Sequence, residues 1–121
     1  MSDWPASLPG LDLTKALGQL GGKKTLYLRL LGMFNDAHTG DANKIIEAAN
    51  AGDWTQVQEV NHALKGVAGN LAANELYQLC VDIDAKMKGG SHDIQAELDA
   101  LPPAMERLLA SIAEASQLSP E

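Results

Sequence analysis

Apolar residues recur at intervals of three and four positions along most of this chain, the spacing that gathers them on one face of an α-helix. No segment shows the alternation of apolar and polar residues that is typical of a strand. Capping residues and glycine breakers divide the pattern into helices that begin near residues 12, 23, 41, 53, 74 and 91–93 and end near residues 21, 38, 50, 71, 89 and 116. The chain is therefore predicted to be all-α.

The links between these amphipathic helices are short, which favours antiparallel neighbours. We therefore predict an antiparallel four-helix bundle with an additional short N-terminal helix. The predicted domain covers residues 12–116. An irregular lead-in over residues 1–11 precedes it, and a tail over residues 117–121 is expected to fray.

Three aspartates stand directly before or at the start of predicted helices. Asp12, Asp41 and Asp53 are each predicted to be an N-cap, because a short acidic side chain can accept a hydrogen bond from a free backbone N–H of the first turn. Gln56 follows Asp53 by three residues, which gives the pattern of a capping box.

The last helix contains two prolines within a continuous apolar stripe. Proline inside a helix removes a backbone donor and clashes with the preceding turn. Pro102 and Pro103 therefore predict a kink near Ala100 or two short helices stacked end to end. The stripe is made of Ile94, Leu98, Leu101, Met105, Leu108 and Ile112.

Composition narrows the classes of function. The 121 residues carry 9 Lys and Arg against 16 Asp and Glu, a net charge of −7, which makes nucleic acids and anionic membranes poor partners. A single cysteine excludes an internal disulfide and a multi-cysteine zinc site. No apolar run approaches the ~20 residues of a membrane span, and the N-terminus lacks the pattern of a secretory signal. We expect a monomeric, cytoplasmic protein.

The fourth helix carries the candidate chemistry. Its apolar positions lie within a narrow arc of the helical wheel, at about 100° per residue. His62 lies roughly opposite the centre of that arc, so its imidazole is predicted to face solvent in the middle of the helix. A neutral imidazole nitrogen is a nucleophile. The apolar arc consists of Val57, Val60, Leu64, Val67 and Leu71.

Small residues continue the row of His62 along this helix. Gly66 lies one turn on, Gly69 lies two turns on, and Ala73 would extend the row. Glycine inside an exposed helix lowers the stability of the helix by roughly 1 kcal/mol relative to alanine. The presence of both Gly66 and Gly69 therefore suggests that a large partner needs room there. Lys65 is long enough to bring its ammonium beside the imidazole and stabilise a phosphoryl group. An ordinary surface histidine beside glycines that allow helix packing is the plainer interpretation.

The segment HALKGVAGNL, which begins at His62, resembles the H-x-x-K-G signature of the histidine-containing phosphotransfer (HPt) domain. The resemblance covers nearly the whole chain. It implies a helical bundle that relays a phosphoryl group from a hybrid sensor histidine kinase between aspartates of response-regulator receiver domains. It also implies that this chain binds no ATP and no cofactor, and that Mg²⁺ and the catalytic groups belong to the receiver. Further similar segments are Leu11-Asp12, Gly21-Gly22 before Leu26-Tyr27, and Gly52-Asp53-Trp54.

The same resemblance implies roles for single residues. His62 would be the phosphoacceptor through Nε2, Lys65 would help to neutralise the phosphoryl group, and Gly66 would leave space for the partner. Asp84 falls where the family often has a glutamine, and it is either an orienter of the imidazole through Nδ1 or a solvated surface acid. Lys88, one turn on, would add positive charge. The partner surface is expected on the histidine helix and the adjoining second or fifth helix, and to include Gln58, Gly66, Gly69 and Ala73.

Two other functions fit the sequence, and several further residues have predicted positions. A non-catalytic helical adaptor that never carries phosphate is the main alternative function, and a one-way phosphate sink is a third. Asn61 stands where the family often has alanine, and Ala72 where glycine is common. Cys80 lies on an apolar stripe and is predicted to be a core residue, whereas His38 and His92 are predicted to be surface residues near helix ends.

Overall fold

The computed structural model describes residues 4–120, so residues 1–3 of the predicted lead-in and residue 121 of the predicted tail lie outside the described residues. Within this range the only β-structure is an isolated bridge between Leu8 and Leu11. The prediction of an all-α fold is confirmed. The helices are α1 (Leu13–Gln19), α2 (Lys24–Ala37), α3 (Asp41–Asn50), α4 (Trp54–Asn70), α5 (Asn74–Lys88) and α6 (Gln95–Ala115).

Four of these helices form the bundle. α3 packs on α4, α4 on α5, α5 on α6, and α6 returns to α3, which closes the ring. Residues 51–53 link α3 to α4 and residues 71–73 link α4 to α5, and links this short make the joined helices antiparallel. α2 packs on α6 and α1 on α2. Two N-terminal helices therefore lie outside the bundle, where the prediction had one.

Two of the three predicted aspartate caps are confirmed. The Asp12 carboxylate accepts from the Lys15 N–H at 3.0 Å, and the Asp53 carboxylate accepts from the Gln56 N–H at 3.2 Å. The link after α1 contains Gly21 and Gly22, whose φ values of +64° and +78° lie in the left-handed region that suits glycine.

The prediction that Asp41 caps α3 is wrong. Gly40 is the N-cap, and Asp41 is the first helical residue. Its carboxylate is buried and lies 2.8 Å from Nδ1 of His38, the residue that follows α2. The aspartate therefore joins two helices through a side-chain contact instead of capping one.

α6 supplies a continuous strip of the core. All six residues of its predicted stripe are buried. The helix runs without interruption from Gln95 to Ala115 with Pro102 and Pro103 inside it, so the alternative of two stacked helices is wrong. Among residues 4–120, no helix combines the length and the apolar character that crossing a membrane requires.

Both ends of the described chain pack on the bundle. Leu11 is buried, and the Ser111 hydroxyl of α6 donates to the Pro9 carbonyl at 2.6 Å. The indole N–H of Trp4 donates to the Ser119 carbonyl, and Leu118 packs against the core. The ordered domain therefore extends on both sides of the predicted range 12–116, and the described part of the tail is held by contacts.

Candidate functional site

The geometry of α4 places His62 on the surface. The helix buries Val57, Asn61, Leu64 and Ala68, whereas the predicted residues Val60 and Val67 are only partly buried. The buried row is thus turned by roughly 45° from the predicted arc, at about 100° per residue. His62 still lies far from the core and is exposed, as predicted.

A buried amide stands directly before the histidine. Asn61 is 1 % exposed, and its Nδ2 donates to the Cys80 carbonyl of α5 at 2.9 Å. Its Oδ1 is buried without a hydrogen-bond partner. This contact was not predicted, although the spacing of Asn61 from Val57 and Leu64 places it on the buried side of α4. The amide fixes the distance between α4 and α5 beside His62.

A cluster of three charged side chains joins α4 to α5 at the same site. The ammonium of Lys65 lies 3.1 Å from Oδ2 of Asp84, and the ammonium of Lys88 lies 3.0 Å from the same oxygen. Hydrogen bonds from Lys88 and Lys65 hold the pKa of Asp84 below its ordinary value, because they stabilise the ionised carboxylate. The cluster therefore has two positive charges and one negative charge, a net charge of about +1.

His62 and two members of this cluster, Asp84 and Lys88, line one open cleft. Asp84 and Lys88 form one wall of the cleft, and His62 with its α4 neighbours Gln58 and Glu59 forms the other. Within residues 4–120, His62 makes no hydrogen bond, and Asp84 accepts from the two lysines instead. Both lysines bind Oδ2 of Asp84. The role of Asp84 as an orienter of the imidazole therefore stays a prediction.

The two glycines of the histidine row differ. A Cβ on Gly66 would meet no atom within 4 Å, so the surface beside His62 is open there. A Cβ on Gly69 would lie 3.1 Å from the ring of Tyr77, which is 39 % exposed and covers that turn of α4. The prediction that Ala73 lies on the partner surface is wrong, because α4 ends at Asn70 and Ala73 is 0 % exposed.

Comparison with known families identifies this arrangement. The family model of the Hpt domain matches residues 29–117, which include most of α2 and all of α3 to α6. The chain belongs to the Hpt domain family. No curated protein and no solved structure matches it. Histidine phosphotransfer is the activity that membership of this family implies, and His62 of the H-x-x-K-G segment lies inside the matched region.

The remaining candidate residues of the Hpt domain have structural roles. His92 stacks on Trp54 with ring centroids 4.1 Å apart, and His38 is held by Asp41. Cys80 is buried in the core, as predicted, and burial raises the pKa of its thiol to about 12, so it is not a nucleophile near neutral pH. Over residues 4–120 no group of three or more His, Cys, Asp or Glu side chains is placed to hold a metal ion.

Proposed function

We propose that this Hpt domain relays a phosphoryl group between receiver-domain aspartates through His62. One observation carries the proposal: an exposed imidazole without a hydrogen bond to the described residues shares its cleft with Lys88 and with the carboxylate that holds Lys65. A nucleophile at the surface, next to ammonium groups that can attract phosphoryl oxygens, suits a reaction whose other groups come from a partner.

The reaction is a transfer in two directions. The lone pair on His62 Nε2 attacks the phosphorus of an aspartyl phosphate, the bond from phosphorus to the aspartyl oxygen breaks, and the receiver carboxylate leaves. The phosphohistidine then passes the group to a second receiver by the reverse step. A neutral imidazole is needed for the attack, which leaves the ring positively charged, and its Nδ1 proton then passes to solvent at this exposed site.

The same proposal assigns the catalytic groups and the phosphoryl donor to partner proteins. Mg²⁺ and the groups that activate the aspartyl phosphate would belong to the receiver, this chain would bind no ATP or cofactor, and a hybrid sensor histidine kinase would supply the phosphoryl group. We place the relay in the cytoplasm and the domain in a monomeric state. The receiver would cover His62, Gln58, the open surface at Gly66 and the turn at Gly69 beside Tyr77, with adjoining parts of α2 or α5. Such an interface would be small, because a relay has to dissociate.

Radioactive transfer tests the proposal. The protein is incubated with Mg²⁺ and a panel of phosphorylated receivers, and label on the protein is tested for the acid lability and base stability of phosphohistidine. His62→Gln is expected to abolish the label. His38→Gln and His92→Gln are matched controls that are expected to keep it, because each of these rings is engaged in a structural contact.

The outcomes separate the alternatives. Label that persists in His62→Gln would remove His62 from the role of phosphoacceptor. Binding of a receiver without any label would favour the non-catalytic adaptor. Label that never returns to a receiver would favour the one-way sink.

A further inference from the structure

Asp84 lies where it decides how much positive charge a phosphoryl group on His62 would meet. A single oxygen, Oδ2, accepts from both Lys65 and Lys88, at 3.1 and 3.0 Å. We propose that Asp84 is an internal counterion that competes with the phosphoryl group for these two lysines and so keeps phospho-His62 ready to donate. The inference rests on the proposed function and assigns Asp84 as a positioning residue of that site.

The exposure of the three side chains fits this role. The Asp84 side chain is 16 % exposed and Lys65 is 23 % exposed, so this pair is partly withdrawn from water. Lys88 is 70 % exposed, and its flexible stem lets the ammonium turn from Asp84 toward the cleft that it shares with His62. Asp84, which lines the cleft of His62, therefore holds both ammonium groups at one carboxylate oxygen.

The competition follows from charge. A phosphoryl group carries up to about two negative charges at neutral pH, and it offers several acceptor oxygens to an ammonium. Each lysine that turns to the phosphoryl group leaves the partly buried Asp84 with less compensation, and the carboxylate also repels the phosphoryl group directly. Part of the stabilisation by the lysines is thereby cancelled. A neutral residue at this position would leave the phosphohistidine more stable and a poorer donor.

The equilibrium of transfer tests this inference. A phosphorylated receiver that labels the wild-type domain is mixed with each variant, and the ratio of phosphorylated domain to phosphorylated receiver is measured at equilibrium. Asp84→Asn is expected to raise this ratio about fivefold, since one charge at a partly exposed site contributes up to ~1 kcal/mol. Asp84→Glu keeps the charge and is expected to stay near the wild-type ratio.

Asp82→Asn is the matched control for Asp84→Asn. Asp82 lies on the same helix, and its carboxylate accepts from Gln78 instead of from the lysines. The variant makes the same change of net charge and is expected to leave the ratio unchanged. A titration of the Asp84 carboxyl followed by ¹³C NMR on the unphosphorylated protein gives a second readout, in which Lys65→Gln and Lys88→Gln are each expected to raise the pKa of Asp84.

Three results would overturn the inference. The ratio could stay unchanged in Asp84→Asn, it could fall, or it could rise equally in Asp82→Asn, and each result would show that Asp84 does not compete for the lysines. All three presuppose label on the wild-type domain. If no receiver labels the wild-type domain, the proposed function itself is overturned. If the wild-type domain is labelled but the ratio does not respond to Asp84→Asn, only the counterion role is overturned.

Discussion

At the scale of single residues, Asn61 combines two conflicting features. Its side chain is buried, and only its nitrogen has a partner, the Cys80 carbonyl. An orphaned buried acceptor reduces stability, whereas the hydrogen bond of the same amide joins α4 to α5. Because Asn61 directly precedes His62, we infer that this position contributes to holding the reactive helix at a fixed distance from Lys88 and Asp84.

Asn61→Asp is expected to lower the free energy of unfolding at pH 7 by about 3 kcal/mol or more, because it buries a carboxylate against the Cys80 carbonyl and removes the amide donor. Urea denaturation measures the effect. Asn43→Asp is the control, since Asn43 is exposed in the first turn of α3, where a negative charge suits the helix dipole. Equal stability of the two variants would contradict the burial of Asn61.

Replacement of Gly66 is expected to raise the stability of the fold and to weaken binding of the receiver. Gly66→Ala is expected to raise the free energy of unfolding by about 0.5–1 kcal/mol, because alanine is the better helix former and its Cβ meets no atom within 4 Å. It is also expected to weaken receiver binding about tenfold, since an added methyl in a close interface costs roughly 1–3 kcal/mol.

Gly32→Ala is the control for Gly66→Ala. Gly32 is an exposed glycine inside α2, and a Cβ there also meets no atom within 4 Å. It lines a groove with Ile112 of α6, away from His62. It is expected to stabilise the fold in urea denaturation and to leave receiver titrations unchanged. Weaker binding in Gly32→Ala alone would move the partner surface to α2.

At the scale of helices, ion pairs join α5 to α6 at both ends. Arg107 donates hydrogen bonds to both carboxylate oxygens of Glu75 near the start of α5, and Lys86 pairs with Glu97 near its end, at 2.8 Å. Glu97 is 12 % exposed, and the hydrogen bond from Lys86 holds its pKa below the ordinary value. These pairs fix α5, and with it Asp84 and Lys88, relative to the rest of the bundle.

The Glu97 pair predicts a dependence of stability on pH. Because the pKa of Glu97 is lowered in the folded protein, its contribution is complete above the ordinary glutamate pKa of ~4.3 and is lost as the pH falls through the lowered value. Glu97→Gln is therefore expected to be less stable than wild type near pH 7 and to approach it near pH 3, measured by urea denaturation. Glu114→Gln, an exposed position on the same helix, should show no such convergence.

The helices were largely predictable from the sequence, because caps and apolar spacing act within a few residues. The start of α4 after Asp53 and the buried stripe of α6 are confirmed. Asp41 was not predictable in this way, since the local pattern of a cap also fits a residue whose carboxylate turns to His38. The rotation of α4 by roughly 45° escaped prediction because about 100° per residue allows neighbouring arcs, and packing on α5 selects between them.

At the scale of the whole molecule, the two ends of the described chain close the fold. Trp4 reaches Ser119, and Leu8 and Leu118 pack against the core. Composition alone did not indicate this, because the lead-in contains Pro5, Pro9 and Gly10 and looks irregular. The net charge of the chain is −7, and the cleft at His62 is itself lined by Glu59 and Asp84 as well as by Lys88. Lys65 reaches this site through its contact with Asp84.

Leu8→Ala tests whether the lead-in belongs to the domain. Removal of its half-buried side chain is expected to lower the free energy of unfolding by about 1–2 kcal/mol, below the range for a fully buried leucine. Ser7→Ala, the exposed neighbour, is expected to change it by less than about 0.5 kcal/mol. Equal values for the two variants in urea denaturation would mean that the domain begins at residue 12, as first predicted.

The sequence by itself determined the helices, the exposure of His62 and the family, because each depends on residues that are close in the chain. Only the tertiary structure decided what surrounds His62. Lys65 and Asp84 are separated by 19 positions, as are Asn61 and Cys80, so their contacts depend on the distance and rotation of α4 against α5. Periodicity does not specify that rotation; side-chain packing and the pairing of buried polar groups do.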